Sequence, residues 1–215
     1  MRILQKIAQE MPFSEKSDIP KKGLRFKDLT SFSGSARFTN ALGGDRHIAS
    51  EIRDLAASYL KEYPELERIE VGKVDPGGDH FNWSKGQIGL SSGNPDVFSH
   101  ESAHAGTLQD DSLYRRILKL SKGAVHLNNV AAIPAILSVK NFIRDEKKQD
   151  NVLKALAGFS AVAALPNLIE EARASAKAVG KSENKLRAFK SLGPGFLAHV
   201  AHGVAAPSAY YLAGK

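Results

Sequence analysis

Val97-Phe98-Ser99-His100-Glu101-Ser102-Ala103-His104-Ala105-Gly106 is the stretch on which the reading of this chain turns. It holds H-E-x-x-H. On a helix, His100 and His104 stand about one turn apart on the same face. Two imidazoles stacked in that way can both reach one Zn²⁺ at about 2.0–2.1 Å. Glu101 follows the first of them, where a carboxylate can take a proton from a metal-activated water. The pattern supplies two ligands and a base. A hydrolytic site also needs a third ligand and an open coordination position.

Outward from the motif, Ser91–Pro95 is a turn, and Pro95 or Asp96 opens a helix that runs to about Leu120 or breaks near Gly106. Before it, Leu66–Val74 alternates apolar and polar residues, as a half-buried strand does. Asp75-Pro76-Gly77-Gly78-Asp79 signals a turn. His80–Trp83 and Lys85–Leu90 read as two further short strands. Ile48, Ile52, Leu55, Ala56, Tyr59 and Leu60 recur at helical spacing within Asp45–Tyr63, and Pro64 ends that helix. Gly23–Gly44 is rich in Ser, Gly, Phe and Lys and reads as loop with a short strand or turn. Met1–Lys22 is an N-terminal extension, ordered or a short amphipathic helix, with a linker.

After the motif the pattern is helical. Val125–Ile143 and Val152–Ile169 are apolar, joined by a charged connection over Arg144–Asn151. Glu170–Val179 continues as a polar, Ala-rich helix that stops at Gly180. Glu183–Ser191 is a short basic helix, Gly193-Pro194-Gly195 a break, and Phe196–Leu212 a final apolar segment. The expected fold is therefore α+β: a small mixed sheet of short strands, the motif helix, then a helical C-terminal half. That order is zincin-like, in one domain over 23–215. In such an architecture the strand before the motif helix forms the edge to which an extended peptide adds, and Lys85–Leu90 is the expected edge.

The length supports one sizeable core. The chain has no cysteine, so any zinc must sit on histidine and carboxylate. The net charge of +7 is spread over several segments and mixed with acids, with no aromatic-basic motif. That pattern argues for a solvated basic surface and against a nucleic-acid site. Met1–Lys22 lacks the apolar run and cleavage site of a signal peptide, so a cytoplasmic or membrane-associated protein is expected. The two apolar segments are about as long as a membrane span. Each holds Asn, Lys or Pro and many alanines, so a buried core hairpin and a membrane hairpin tipped by Arg144–Lys148 both stay open. Nothing in the sequence marks an oligomeric state.

For the third ligand, Asp110 and Asp111 follow His104 too closely to turn back on a continuous helix. Asp145 and Glu146 lie in the charged connection. Glu170 and Glu171 lie on a helix that can return antiparallel to the motif helix. Glu171-Ala172-Arg173-Ala174-Ser175 resembles the E-x-x-A-D element of the HtpX / type I CAAX prenyl endopeptidase family, a gluzincin group in which several members carry E-x-R-A-D. Ala176–Gly180, the apolar hairpin and Phe81–Gly93 are similar to that family as well, and the likeness covers 65–180. The resemblance implies a zinc metallopeptidase with His100, His104 and Glu171 as ligands and Glu101 as base, with Glu170 the neighbour that could take the place of Glu171. It also implies a Zn²⁺ cofactor and a polypeptide substrate bound as an extended strand. The chain departs from the family where Asp is replaced by Ser175, which can hydrogen-bond an imidazole but brings no charge to it.

For the oxyanion of the tetrahedral intermediate the candidates are His199, His202 and Arg173. His80 and His126 read as core histidines. Two other classes stay open: a zinc-binding zincin-fold module without turnover, and a basic membrane-associated structural protein in which H-E-x-x-H is accidental.

Overall fold

Leu24–Arg25 (β1), Phe32–Ala41 (α1), Arg46–Glu62 (α2), Glu70–Lys73 (β2), His80–Asn82 (β3) and Gln87–Leu90 (β4) precede the long helices. The long helices are Pro95–Asp110 (α3), Ser112–Phe142 (α4), Glu146–Lys181 (α5) and Lys185–Ala213 (α6). The computed structural model describes residues 23–75, 78–82, 84–110 and 112–215, without the side chains of 108–110 and 112. The expected extension Met1–Lys22, the middle of the 75–79 turn, Trp83 and Asp111 lie outside the described residues. Two compact units follow one another along the chain, Met1–Asn94 and Pro95–Lys215. Together they make an α+β chain, mostly helical, with a small mixed sheet.

In the first unit, α2 forms where the spacing of apolar residues places it. Asp45 caps it by accepting from the Ile48 N–H at 3.0 Å. Ile52, Leu55, Ala56 and Tyr59 turn inward. Pro64 stops the helix and opens a 3₁₀ turn over Pro64–Arg68, so the expected strand 66–74 shortens to β2, with Leu66 buried in the turn before it. The expected loop over 23–44 contains α1. Its sequence is poor in helix formers, yet Ser31 caps it by accepting from the Gly34 N–H at 3.1 Å. Thr39 satisfies its own hydroxyl on the Ser35 carbonyl at 2.8 Å. Burial of Phe38 then outweighs local propensity. A Cβ at Gly34 would stand 1.9 Å from the Asp28 carbonyl oxygen, so only glycine fits there.

The sheet order is β1-β2-β4-β3. β1 pairs with β2 antiparallel, β2 with β4 parallel, and β3 with β4 antiparallel. This corrects the expectation that Lys85–Leu90 is the sheet edge. β4 carries a neighbour on both sides, because the 84–86 turn folds β3 back onto its outer side while β2 occupies the inner one. The Asn82 side chain holds that turn by accepting from the Ser84 and Lys85 N–H groups, both at 3.1 Å. Among the described residues the outer strands are β1 and β3.

In the second unit, α3 packs against α5, and α4, α5 and α6 lie side by side as successive antiparallel helices. The charged connection expected over 144–151 is only a short turn. Asp145 caps α5 through the Lys148 N–H at 3.0 Å, and Gln149 Nε2 donates to the Ile143 carbonyl at 2.5 Å. The break expected at Gly193-Pro194-Gly195 is absent: α6 is continuous from Lys185 to Ala213. Ala188, Leu192, Gly203, Ala206 and Tyr210 form one buried stripe along it. Packing along that stripe offsets the hydrogen bond lost at Pro194.

Candidate metal centre

α3 begins with a buried anchor. The Asp96 side chain is wholly buried and accepts from Arg187 Nε at 2.8 Å and Nη2 at 3.1 Å, and from Ser182 Oγ at 2.8 Å. This bidentate pair ties the first turn of α3 to the start of α6 and the α5–α6 connection. Ser99, Ser102 and Ala103 on α3, and Ala174 and Ala178 on α5, are fully buried, and their small size allows the two helices to approach closely. That approach brings Glu171 of α5 to the two histidines of α3.

His100 and His104 sit with ring centroids 4.6 Å apart and planes at 89°. Their Nε2 atoms are 3.1 Å apart, and each lies 3.4 Å from Glu171 Oε2. Donors bonded at about 2.0–2.1 Å to one tetrahedral ion stand about 3.3–3.4 Å from one another. The three atoms therefore form a triangle of the size of one face of a zinc tetrahedron, and the set of two imidazoles and one carboxylate suits that ion. Glu101, the expected base, is buried on α3.

Each ring is held from behind. His104 Nδ1 lies 2.9 Å from Glu170 Oε1. Glu170 is itself almost fully buried and accepts from Tyr114 OH at 3.0 Å and from Arg173 at 3.0 Å (Nε) and 2.7 Å (Nη2). His100 Nδ1 faces Ser175 Oγ at 3.4 Å. Burial works against charge on His104. Hydrogen bonds to Glu170 and Glu171 and the nearby negative charge of Glu101 outweigh it, and the metal-free imidazole is raised to about 9.

The other acids stay apart from the triad. Asp145 is a helix cap, and Glu146 is exposed in the first turn of α5. Asp110 ends α3. Among the oxyanion candidates, only His199 reaches the centre. Its Nε2 stands 3.7 Å from Glu171 Oε2, and its side chain is 55% exposed. The Arg173 guanidinium is bonded to Glu170, and the His202 ring lies against the Asn129 amide at 3.3 Å. His80 donates to the Gly78 carbonyl in the first unit.

Tyr114 and the Asp96–Arg187–Ser182 cluster escape sequence reasoning. Asp96 and Arg187 are 91 positions apart, and an acid in the first turn of a helix reads as an ordinary favourable charge. No family model matches the chain, no curated protein is similar to it, and no solved structure matches it.

Proposed function

We propose that this chain is a zinc-dependent endopeptidase with a zincin-like catalytic unit, in keeping with the resemblance of its H-E-x-x-H and E-A-R-A-S elements to the HtpX / type I CAAX prenyl endopeptidase family. The observation that carries this reading is the triangle of His100 Nε2, His104 Nε2 and Glu171 Oε2, with edges of 3.1, 3.4 and 3.4 Å. Zn²⁺ held there would lower the pKa of a water toward 7 and polarise the scissile carbonyl.

The chain's own residues supply the rest. Glu101 takes the proton of the attacking water and hands it to the leaving amine. Glu170 keeps the Nδ1 proton of His104 in place, which leaves the Nε2 lone pair free for the ion. His199, beside Glu171 and open to solvent, donates to the oxygen on which negative charge develops. The substrate class is polypeptide.

Metal analysis of the purified full chain, together with hydrolysis of an unfolded protein substrate, tests this. The expected result is one zinc per chain, lost in His100→Ala and in Glu171→Ala. Glu101→Gln is expected to retain zinc and lose hydrolysis. Zinc at that stoichiometry with hydrolysis undiminished in Glu101→Gln would remove Glu101 from its role. Wild-type zinc binding without any hydrolysis would favour the module without turnover. That reading draws its support from Ser175, an uncharged group 3.4 Å from His100 Nδ1 where the family carries Asp.

A further inference from the structure

α4, α5 and α6 are packed inside out for a protein surrounded by water. The residues they turn inward midway along the bundle are mostly small, Ala132, Ser160, Ala164, Gly203 and Ala206, with Val125, Leu153 and Tyr210 the larger members. Gly203 packs so closely that a Cβ there would touch Leu168 at 3.4 Å and Ala164 at 3.5 Å. Large apolar side chains point out instead. Val130 and Ile133 on α4, Phe159 and Val162 on α5, and Val204 and Leu212 on α6 are each 44–70% exposed. Among the described helices α5 alone is long and apolar enough to cross a membrane by itself, and only 22% of its most apolar 18-residue window is buried, so α4 and α6 would cross as its partners. A soluble bundle buries its large residues. Mostly small residues within and many large apolar ones without is the distribution of helices that meet in lipid.

The charges follow the same division. Ser121 Oγ donates to the Ala163 carbonyl at 2.5 Å, and Ala132 packs with Leu153, which sets the register of α4 against α5. In that register Lys154 stands level with position 131, about 13 Å along the axis from Lys122 at 1.5 Å per residue. No charged residue lies between those levels on α4 or α5, and α6 carries none from Ser191 to Gly214. The Lys154 ammonium is turned toward the α4–α5 connection by Asp150, at 2.7 Å. Lysine stems reach outward by about 6 Å at each end, which widens the apolar belt to about 25 Å. A hydrocarbon core is about 30 Å thick, and a short span is met by local thinning.

Basic residues bound the belt on both sides: Arg115, Arg116 and Lys119 toward the metal centre, Lys140, Lys147 and Lys148 toward the connection. One disturbed turn of backbone inside the belt is served from within the bundle, while Asn128 Nδ2 and Ser160 Oγ are buried there without a partner among the described residues. Asn129 donates to the His202 carbonyl at 3.0 Å and accepts from the Ala206 N–H at 3.2 Å, in the turn of α6 disturbed by Pro207.

We propose that α4, α5 and α6 form a three-helix bundle that spans a lipid bilayer, with the metal centre at one membrane surface and the α4–α5 connection at the other. Lipid fits where a protein partner does not, because apolar side chains face outward from all three helices, whereas a partner covers one side. The proposal is independent of whether the metal centre turns over.

The test uses the full chain and vesicles of three parts phosphatidylcholine to one part phosphatidylglycerol. The chain has no cysteine, so single cysteines report cleanly. The protein is expected to float with the vesicles and to resist alkaline carbonate. Val130→Cys and Phe159→Cys are expected to be shielded from a membrane-impermeant maleimide until detergent is added. In a Lys147→Cys/Lys190→Cys double variant, reagent added outside is expected to place one label on each chain whichever way it is oriented. Two labels per chain would mean a bundle lying on one leaflet and would overturn the span. A full chain that stays in the aqueous fraction, or forms a discrete lipid-free oligomer with both belt cysteines protected, would overturn the lipid itself. Flotation of the unmodified chain carries the test if a cysteine variant does not fold.

Discussion

Glu170 and Glu171 are neighbours in sequence and face opposite sides of one imidazole. Glu171 reaches Nε2 of His104, while Glu170 lies against Nδ1, braced by Tyr114 and Arg173. A carboxylate behind a metal-bound histidine fixes its tautomer and raises its basicity. Glu170→Ala is expected to weaken zinc binding about 10–100-fold while leaving the three donors in place. A competition titration against a chromophoric chelator measures this, and unchanged affinity would show that the brace is only structural. The same histidine gives a pH signature. Its metal-free imidazole is raised to about 9 above its ordinary value near 6.5, so stability from the charged ring is complete below about 6.5 and fades as pH rises through 9. Zinc needs the unprotonated Nε2, so its affinity moves the opposite way, rising about tenfold per pH unit up to about 9 and then levelling. Thermal melts of the metal-free protein and zinc titrations across that range should therefore slope in opposite directions.

At the scale of elements, the metal-binding face of α3 is legible because it needs only a local pattern: His100 and His104 four apart, with Glu101 between. The returning glutamate is legible only as a choice between Glu170 and Glu171. One residue on a helix rotates a side chain by about 100°, and local spacing does not say which of the two faces α3. α1 is hidden by its Ser- and Gly-rich composition, since burial of Phe38 and the close approach at Gly34 are tertiary facts. The edge position assigned to Lys85–Leu90 fails for the same reason: pairing partners are long-range, and a strand alone does not disclose its neighbours. The continuity of α6 through Gly193-Pro194-Gly195 also rests on packing. That suggests a contrast between two glycines. A Cβ at Gly195 meets nothing within 4 Å, whereas at Gly34 it meets the Asp28 carbonyl oxygen at 1.9 Å. Gly195→Ala is expected to stabilise by about 0.5–1 kcal/mol through the lost freedom of the unfolded chain. Gly34→Ala is expected to destabilise by more than that. Denaturant midpoints measured on the two variants separate the cases.

For the molecule as a whole, the second unit is tied at two places that join α3 to the later helices. One is the Asp96–Arg187–Ser182 cluster at the start of α3, and the other is the His100–His104–Glu171 triad in its middle. The first acts without metal. Arg187→Ala strips a wholly buried carboxylate of its guanidinium and is expected to cost about 3 kcal/mol, because the uncompensated charge stays buried. The second changes with the ion. A ligand that binds only the folded state stabilises by about 4 kcal/mol at a thousand times its dissociation constant. Its donors come from α3 and α5, so the ion would add a clamp between two helices already in direct packing contact. Chelation is therefore expected to lower the melting temperature of the wild type and to leave Glu171→Ala unmoved, since that variant has already lost the clamp. Arg187→Ala should melt earlier in both states and still respond to chelator in full, because its lesion lies at the other tie. A chelator response that disappears in Arg187→Ala would mean that the two ties are one cooperative unit and that the triad assembles only after Asp96 is paired.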